Sequence, residues 1–252
     1  MSAGGSPLRN GDPAPARGTV PLTPDACPSW LRPLVDNVDH VPDAARRRLP
    51  ADVLAMITTK AASALTSVRG AAREAAVLVL FSGPESTLRH HAGQAAFPGG
   101  AADPTDDGPV ATALREAREE TGIDVSRLHP LATMEKMFIA PSQFHVVPVL
   151  AYSPDPGPVA VVNEAETALV ARVPLRAFIN PANRLMVYRG DLGRRWAGPA
   201  FLLNEMLVWG FTGQVISALL DVAGWAQPWD TSDQRELDAA MALVGERGDA
   251  LE

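Results

Sequence analysis

The unbroken apolar run Ala75-Ala76-Val77-Leu78-Val79-Leu80-Phe81, stopped by Ser82-Gly83-Pro84, constrains this chain more than any other stretch. Apolar residues without an alternating polar partner describe a strand covered on both faces, which belongs in the middle of a sheet. The run is too short for the roughly 20 residues that cross a bilayer. Nor does the N-terminus pair a charged segment with an apolar one, so neither a secretory signal nor a membrane association is expected.

Other segments supply the layers such a strand needs. Residues 49–67 place Leu54, Ile57, Ala61 and Leu65 at helical spacing behind Pro50, which predicts a peripheral helix. A helix is predicted from Pro109 to Thr121, with Ala113, Leu114 and Ala117 as its apolar stripe and Gly122 as its left-handed stop. Residues 144–150 read as a strand whose Pro148 requires an edge, a bulge or a bend. Residues 163–171 read as helical and lead into Val173-Pro174-Leu175. Val208-Trp209-Gly210-Phe211-Thr212 opens a helix to about Val222, and residues 236–244 form a terminal helix. Strands and helices mixed in one unit imply an α/β layered domain. The Gly- and Pro-rich residues 1–25 read as a flexible arm ahead of a domain spanning 26–252.

Composition narrows the function. With 46% hydrophobic residues in 252, one sizeable core is expected. Lys and Arg total 22 against 29 Asp and Glu, a net charge of -7, and no basic stripe is present, so a nucleic-acid partner is not expected. A small polyanion remains compatible, because a bound cation and local arginines outweigh the global sign. The lone Cys27 forms no internal disulfide, which fits a reducing, cytoplasmic setting.

Chemistry concentrates on the Pro109–Thr121 helix. Glu116, Glu119 and Glu120 stand at i, i+3 and i+4, so their carboxylates share one face. Unpaired, they repel; a hard divalent ion such as Mg²⁺ resolves the repulsion and leaves coordination positions for phosphate oxygens. Arg115, four residues before Glu119, can pair with it and fix its rotamer. The commoner reading of a Glu-rich helix is a solvated face with an ordinary ion pair, and the segment upstream weighs against it. There Phe97-Pro98-Gly99-Gly100 brings backbone able to approach a phosphate or turn sharply before an acidic loop.

Together with Arg115-Glu116-Ala117-Arg118-Glu119-Glu120-Thr121-Gly122-Ile123, this segment resembles the Nudix box. The loop from Gly100 to Arg115 is one residue longer than the general pattern, and Asp106 or Asp107 stands where a Glu is usual. Arg89, His91, Gly93, Gln94, Phe97, Gly99 and Gly100 are further similar to the segment accompanying the box in the coenzyme A pyrophosphatase branch. So are Asn163 with Glu166, Val173-Pro174-Leu175 and 208–212. In one respect the chain departs from that branch: only residues 83–88 separate the apolar strand from Arg89, where a Leu- and Thr-rich strand is usual. Either one strand serves for both, or a strand of the hairpin is lost.

The resemblance implies a Nudix-type α/β/α sandwich with a mixed sheet. It implies Mg²⁺- or Mn²⁺-dependent hydrolysis of coenzyme A or acyl-CoA to 4'-phosphopantetheine (or its acyl form) and 3',5'-ADP. Glu116, Glu119 and Glu120 are the implied metal ligands, and Glu166, with Glu164 behind it, the base or a further ligand. Arg89, His91, Gly93, Phe97, Gly99 and Gly100 form the substrate side. Arg89 reads as a bidentate phosphate ligand or as a surface loop arginine, His91 equally as a structural histidine, and Trp209 as core. A small diphosphate is the expected partner, and a homodimer is compatible. ADP-ribose or NADH as substrate, or a binding module without turnover, are the alternatives.

Overall fold

A computed structural model describes residues 19–47, 73–83, 94–139, 143–160, 162, 172–190, 196–203 and 206–248. The helix expected over 49–67 and the one over 163–171 lie outside these residues. The apolar run sits within strand β1, Arg73–Ser82. On one side β1 pairs in parallel with β6, Phe144–Ser153. On the other it pairs antiparallel with β2, Gln94–Ala96, and with β3, Gly99–Ala101. Strand β4, His129–Thr133, and strand β5, Met137–Ile139, line the far edge of β6. Strand β7, Val173–Pro174, adds to β2 and completes a seven-stranded mixed sheet in the order β4-β6-β1-β2-β7, with β3 on β1 and β5 on β6. As expected of a strand covered on both faces, β1 is central. Ser82 of β1 stands opposite Gln94 of β2, and residues 84–93, on which the choice between one strand serving for both and a lost strand turns, lie outside the described residues.

The two faces of the sheet carry different layers because successive side chains of a strand point to opposite sides. Ala76, Leu78 and Leu80 of β1, with Val149 and Ala151 of β6, pack against Val110, Ala113 and Ala117 of the helix Pro109–Thr121. Val79, Phe81, Leu150 and Tyr152 meet Trp30, Leu31 and Leu34 and the helix Gly210–Val222 on the other face. Short helices α1, Arg32–Val35, and α2, Val41–Arg47, belong to that second layer. Pro109–Thr121 is accordingly α3, Leu175–Ile179 is α4, Gly210–Val222 is α5 and Leu237–Gly248 is α6. The result is the expected α/β/α arrangement.

A second sheet was not anticipated. Strands β8, Arg184–Arg189, β9, Trp196–Leu203, β10, Met206–Val208, and β11, Gln234–Glu236, stand in the order β10-β9-β8-β11. One face of it packs against α6 through Leu185, Val187, Ala200, Leu202, Leu237 and Ala240. Phe201 and Leu203 on the other face join the first core. The last residues of the expected arm are held in place: Thr23 donates from both its N–H (2.6 Å) and its hydroxyl (3.1 Å) to the Pro130 carbonyl of β4, and Val20 packs on the core under α3. Among the described residues no helix is long and apolar enough to cross a membrane.

Candidate active site

Helix α3 starts at Pro109, whose missing N–H costs nothing at a first turn, and ends at Gly122 with φ of 66°. Its apolar stripe fixes its rotation on the sheet, which turns Glu116 and Glu120 toward the β3 backbone. Gly99 donates its N–H to Glu120 Oε2 at 3.2 Å. Gly100 leaves the space that Glu116 uses, since a Cβ there would stand 2.5 Å from the carboxylate carbon of Glu116. Gly99 is confined for another reason, because its own Cβ would run into the Ala76 carbonyl and Val77 of the neighbouring strand. The two glycines let a strand and two carboxylates lie closer together than any side chain permits.

Arg115 organises the remaining acidic groups. Its Nη1 lies 2.9 Å from both Glu116 Oε1 and Glu119 Oε2. The opposite edge of the guanidinium faces Asp106, with Nε 3.0 Å from Oδ1 and Nη2 3.0 Å from Oδ2. Nη2 also donates to the Ala101 carbonyl at 2.9 Å. Glu116 is mostly covered, whereas the Glu119 side chain is 51% exposed, so the face opens toward solvent at Glu119. The Arg115 hydrogen bonds hold the Asp106 carboxyl down to about 2, against the opposing effect of burial.

Three carboxylates and nearby backbone form an all-oxygen donor set that suits a hard divalent ion. One oxygen of each meets Arg115 or the Gly99 N–H. Among the described residues no three His, Cys, Asp or Glu side chains stand together as a formed metal cluster. The set fits such an ion in chemistry and in its common helix face, and Glu116 and Glu119 each meet Arg115 through one carboxylate oxygen.

The other expected positions divide. Arg89, His91, Gly93, Glu164 and Glu166 lie outside the described residues. Val162, however, donates its N–H to the Glu120 carbonyl at 3.2 Å, so the chain enters 163–171 from the end of α3 itself. Phe97 packs partly buried against the core on the face opposite α3. Gln94 belongs to β2, opposite both Ser82 and Pro174. Trp209 immediately precedes α5 and packs against the α6 core, its ring 6.0 Å from that of Trp196. What the sequence left open was the choice between Asp106 and Asp107, and what it missed was the Ala101 carbonyl as a third anchor of Arg115.

Comparison with known proteins accords with this geometry. The NUDIX domain model matches residues 59–189, which contain α3 and the whole seven-stranded sheet. A Nudix hydrolase NudL of Photorhabdus laumondii, itself uncharacterised, is 33% identical over 141 residues, 56% of this chain and 74% of its own. The NudL of Yersinia pestis, likewise uncharacterised, is 34% identical over 163 residues, 58% of this chain and 78% of its own. A solved MutT/nudix family protein from Enterococcus faecalis is 14% identical, with a TM-score of 0.36 over 73% of this chain and 78% of that one. With the model spanning more than half of the 252 residues and these relatives covered over most of their length, the chain belongs to the Nudix family of hydrolases, which act on small-molecule diphosphates.

Proposed function

We propose that this hydrolase binds Mg²⁺ or Mn²⁺ through Glu116, Glu119 and Glu120 and cleaves coenzyme A or acyl-CoA to 4'-phosphopantetheine (or its acyl form) and 3',5'-ADP. The observation that carries the metal assignment is the seating of Glu116 and Glu120 against Gly100 and Gly99, beside the open carboxylate of Glu119. The coenzyme A reading rests on the resemblance of the Arg89–Gly100 segment. The metal, when bound, neutralises diphosphate oxygens and lowers the pKa of a water in its shell. Glu166, or Glu164, takes the proton of the attacking water as the bridging P–O bond breaks. The Val162–Glu120 hydrogen bond supports that choice: Glu166 follows Val162 by four residues, a reach of at most about 14 Å. Arg89 would grip a phosphate with its fork of donors.

A second substrate class, ADP-ribose or NADH, is favoured by one feature of the sequence: only residues 83–88 separate the apolar strand from Arg89, where a Leu- and Thr-rich strand accompanies the coenzyme A segment. Purified protein offered coenzyme A, ADP-ribose and NADH separately with Mg²⁺ or Mn²⁺, with products weighed by mass spectrometry, decides between them. Release of 3',5'-ADP supports the coenzyme A reading, and cleavage of another diphosphate alone refutes it while keeping the metal site. The reading further places the protein in the cytoplasm, with 26–252 as one Nudix domain that is free to form a homodimer.

A further inference from the structure

We infer that Lys136 receives a phosphate monoester carried on the ribose of the substrate's nucleotide half. The inference rests on the reading that the diphosphate lies at Glu116, Glu119 and Glu120. Strand register sets the face on which Lys136 stands. Ala76, Leu78, Val149 and Ala151 pack under α3, and alternation puts Glu74 of β1 and His145 and Val147 of β6 on the same side. Phe138 of β5 stands opposite His145 and extends that face. On β6 the apolar cover of the α3 layer begins at Val149. Val147, His145 and Phe138 before it are only partly buried, and the Phe138 and His145 rings meet edge to face at 5.1 Å. The sheet thus offers an open floor beside the glutamate-bearing helix.

Lys136 precedes β5 and reaches back across β6 to Glu74 of β1, its Nζ 2.9 Å from Oε1. Gly100, whose missing side chain makes room for Glu116, stands opposite Ala76, two residues along β1 from Glu74. One strand spacing and two residues of rise put the Glu74 and Gly100 backbones about 8 Å apart. A nucleotide with its 5' diphosphate at the glutamates spans that gap with its ribose, which brings a phosphate on the 3' oxygen within reach of Nζ. Neighbouring cations are otherwise directed: Arg115 is bound to Asp106 and the Ala101 carbonyl, and Arg73 turns to the opposite face, 4.2 Å from the Phe144 ring. The commoner reading of Lys136 and Glu74 is a surface ion pair, and both side chains are about half exposed. A pair of that kind adds little to stability, so it yields readily, and Glu74 occupies only one of three ammonium donors. A phosphate with two charges displaces a carboxylate with one, and Glu74 has a second neighbour in His145, whose Nδ1 is 4.0 Å away.

The test is isothermal titration calorimetry in Mg²⁺ with adenosine 3',5'-bisphosphate, 5'-AMP and inorganic phosphate, none of which contains a diphosphate linkage to cleave. It compares wild type with Lys136→Met, Lys136→Arg and Arg73→Gln. Wild type should bind the bisphosphate about 10-fold or more tighter than 5'-AMP, the scale of a hydrogen bond to a charged group. Lys136→Met should lose that preference with an unchanged thermal midpoint, Lys136→Arg should keep part of it, and Arg73→Gln should keep all of it. In turnover, Lys136→Met should raise KM for coenzyme A and not for dephospho-coenzyme A, with kcat unchanged for both. A preference retained in Lys136→Met, or lost equally in Arg73→Gln, overturns the inference. So does inorganic phosphate binding as tightly as the bisphosphate, which would make this a site for free anions. Calorimetric preference without cleavage of coenzyme A would remove the proposed reaction and keep the phosphate site, whereas cleavage without the preference removes the site and keeps the reaction.

Discussion

The two adjacent glycines of β3 do different work, and substitution separates them. In Gly100→Ala the new methyl meets the far end of a flexible side chain, Glu116, which can move away at little cost in stability. The expected outcome is a near-unchanged melting temperature with turnover lowered about 10- to 100-fold, the scale of a displaced metal partner. In Gly99→Ala the methyl meets the Ala76 carbonyl of β1, and backbone cannot move away so cheaply. That variant should lose about 1–3 kcal/mol or more in a urea titration. Equal stability of the two would show that the strand-to-strand approach at Gly99 is not confining. Glu120→Gln should abolish metal-dependent turnover, and retained turnover would remove Glu120 from the ligand set.

Acid dependence belongs to the same scale. The Asp106 carboxyl is held at about 2 in the folded protein against an ordinary value of about 3.9. A carboxyl with a depressed folded pKa contributes stability above its unfolded value and loses it as the pH falls through the folded one. The difference in urea midpoint between wild type and Asp106→Asn should therefore be constant from neutral pH down to about 5. It should shrink between about pH 4 and pH 2. A difference that persists undiminished at pH 2 would mean the carboxylate charge is not its source.

At the scale of elements, α3 depends on its stop. Gly122 is left-handed, with φ of 66°, and a Cβ there would stand 3.2 Å from Val162. Gly122→Ala should cost about 1–2 kcal/mol and Gly122→Asn less, because Asn tolerates that region. Equal losses would point to the Val162 contact and not to the backbone angle. Elements with a clean period were legible in the sequence: β1, α3 and α5 fall where apolar runs, Pro109, Gly122 and the 208–212 segment place them. Pro148 shows the limit of local reading. It lies in β6, an interior strand, where its carbonyl accepts from Met134 at 2.9 Å. Its missing N–H points the same way, into the break between β4 and β5, so the predicted irregularity is in the partner strands. Pro199 in β9 is tolerated similarly. It stands opposite Met186, whose N–H goes to Asp233 on the β11 side, and beyond Val208, where β10 ends. Gly198-Pro199 thus erased the strand signal of β9, and with it the second sheet. In the site, helical spacing placed the three glutamates on one face, while the choice of Asp106 over Asp107 depended on the path of a loop that no periodicity describes.

Across the whole molecule, Trp30 joins the N-terminal segment to the layers it covers. Its ring lies 6.2 Å from Phe81, 6.3 Å from Tyr152 and 6.1 Å from Trp225, which ties β1, β6 and the residues after α5 to one another. Trp30→Ala should lower the unfolding free energy by about 3–5 kcal/mol, while turnover per folded molecule stays unchanged, because this core lies across the sheet from α3. Turnover lost in proportion to neither stability nor folded fraction would mean that the two faces communicate.

The parallel ladder of β1 and β6 also sets an order of events during synthesis. Its register matches Arg73 with Phe144 and Ser82 with Ser153, and α3 lies in the intervening crossover. Such long-range pairing closes late and slowly, and a chain emerging from the ribosome at about 5–20 residues per second presents every glutamate of α3 before β6 exists to complete the sheet beneath them. A ribosome-arrested chain ending before β6 would carry the Nudix box without a finished platform for it, so the proposed metal site would wait on the arrival of a strand that supplies none of its proposed ligands.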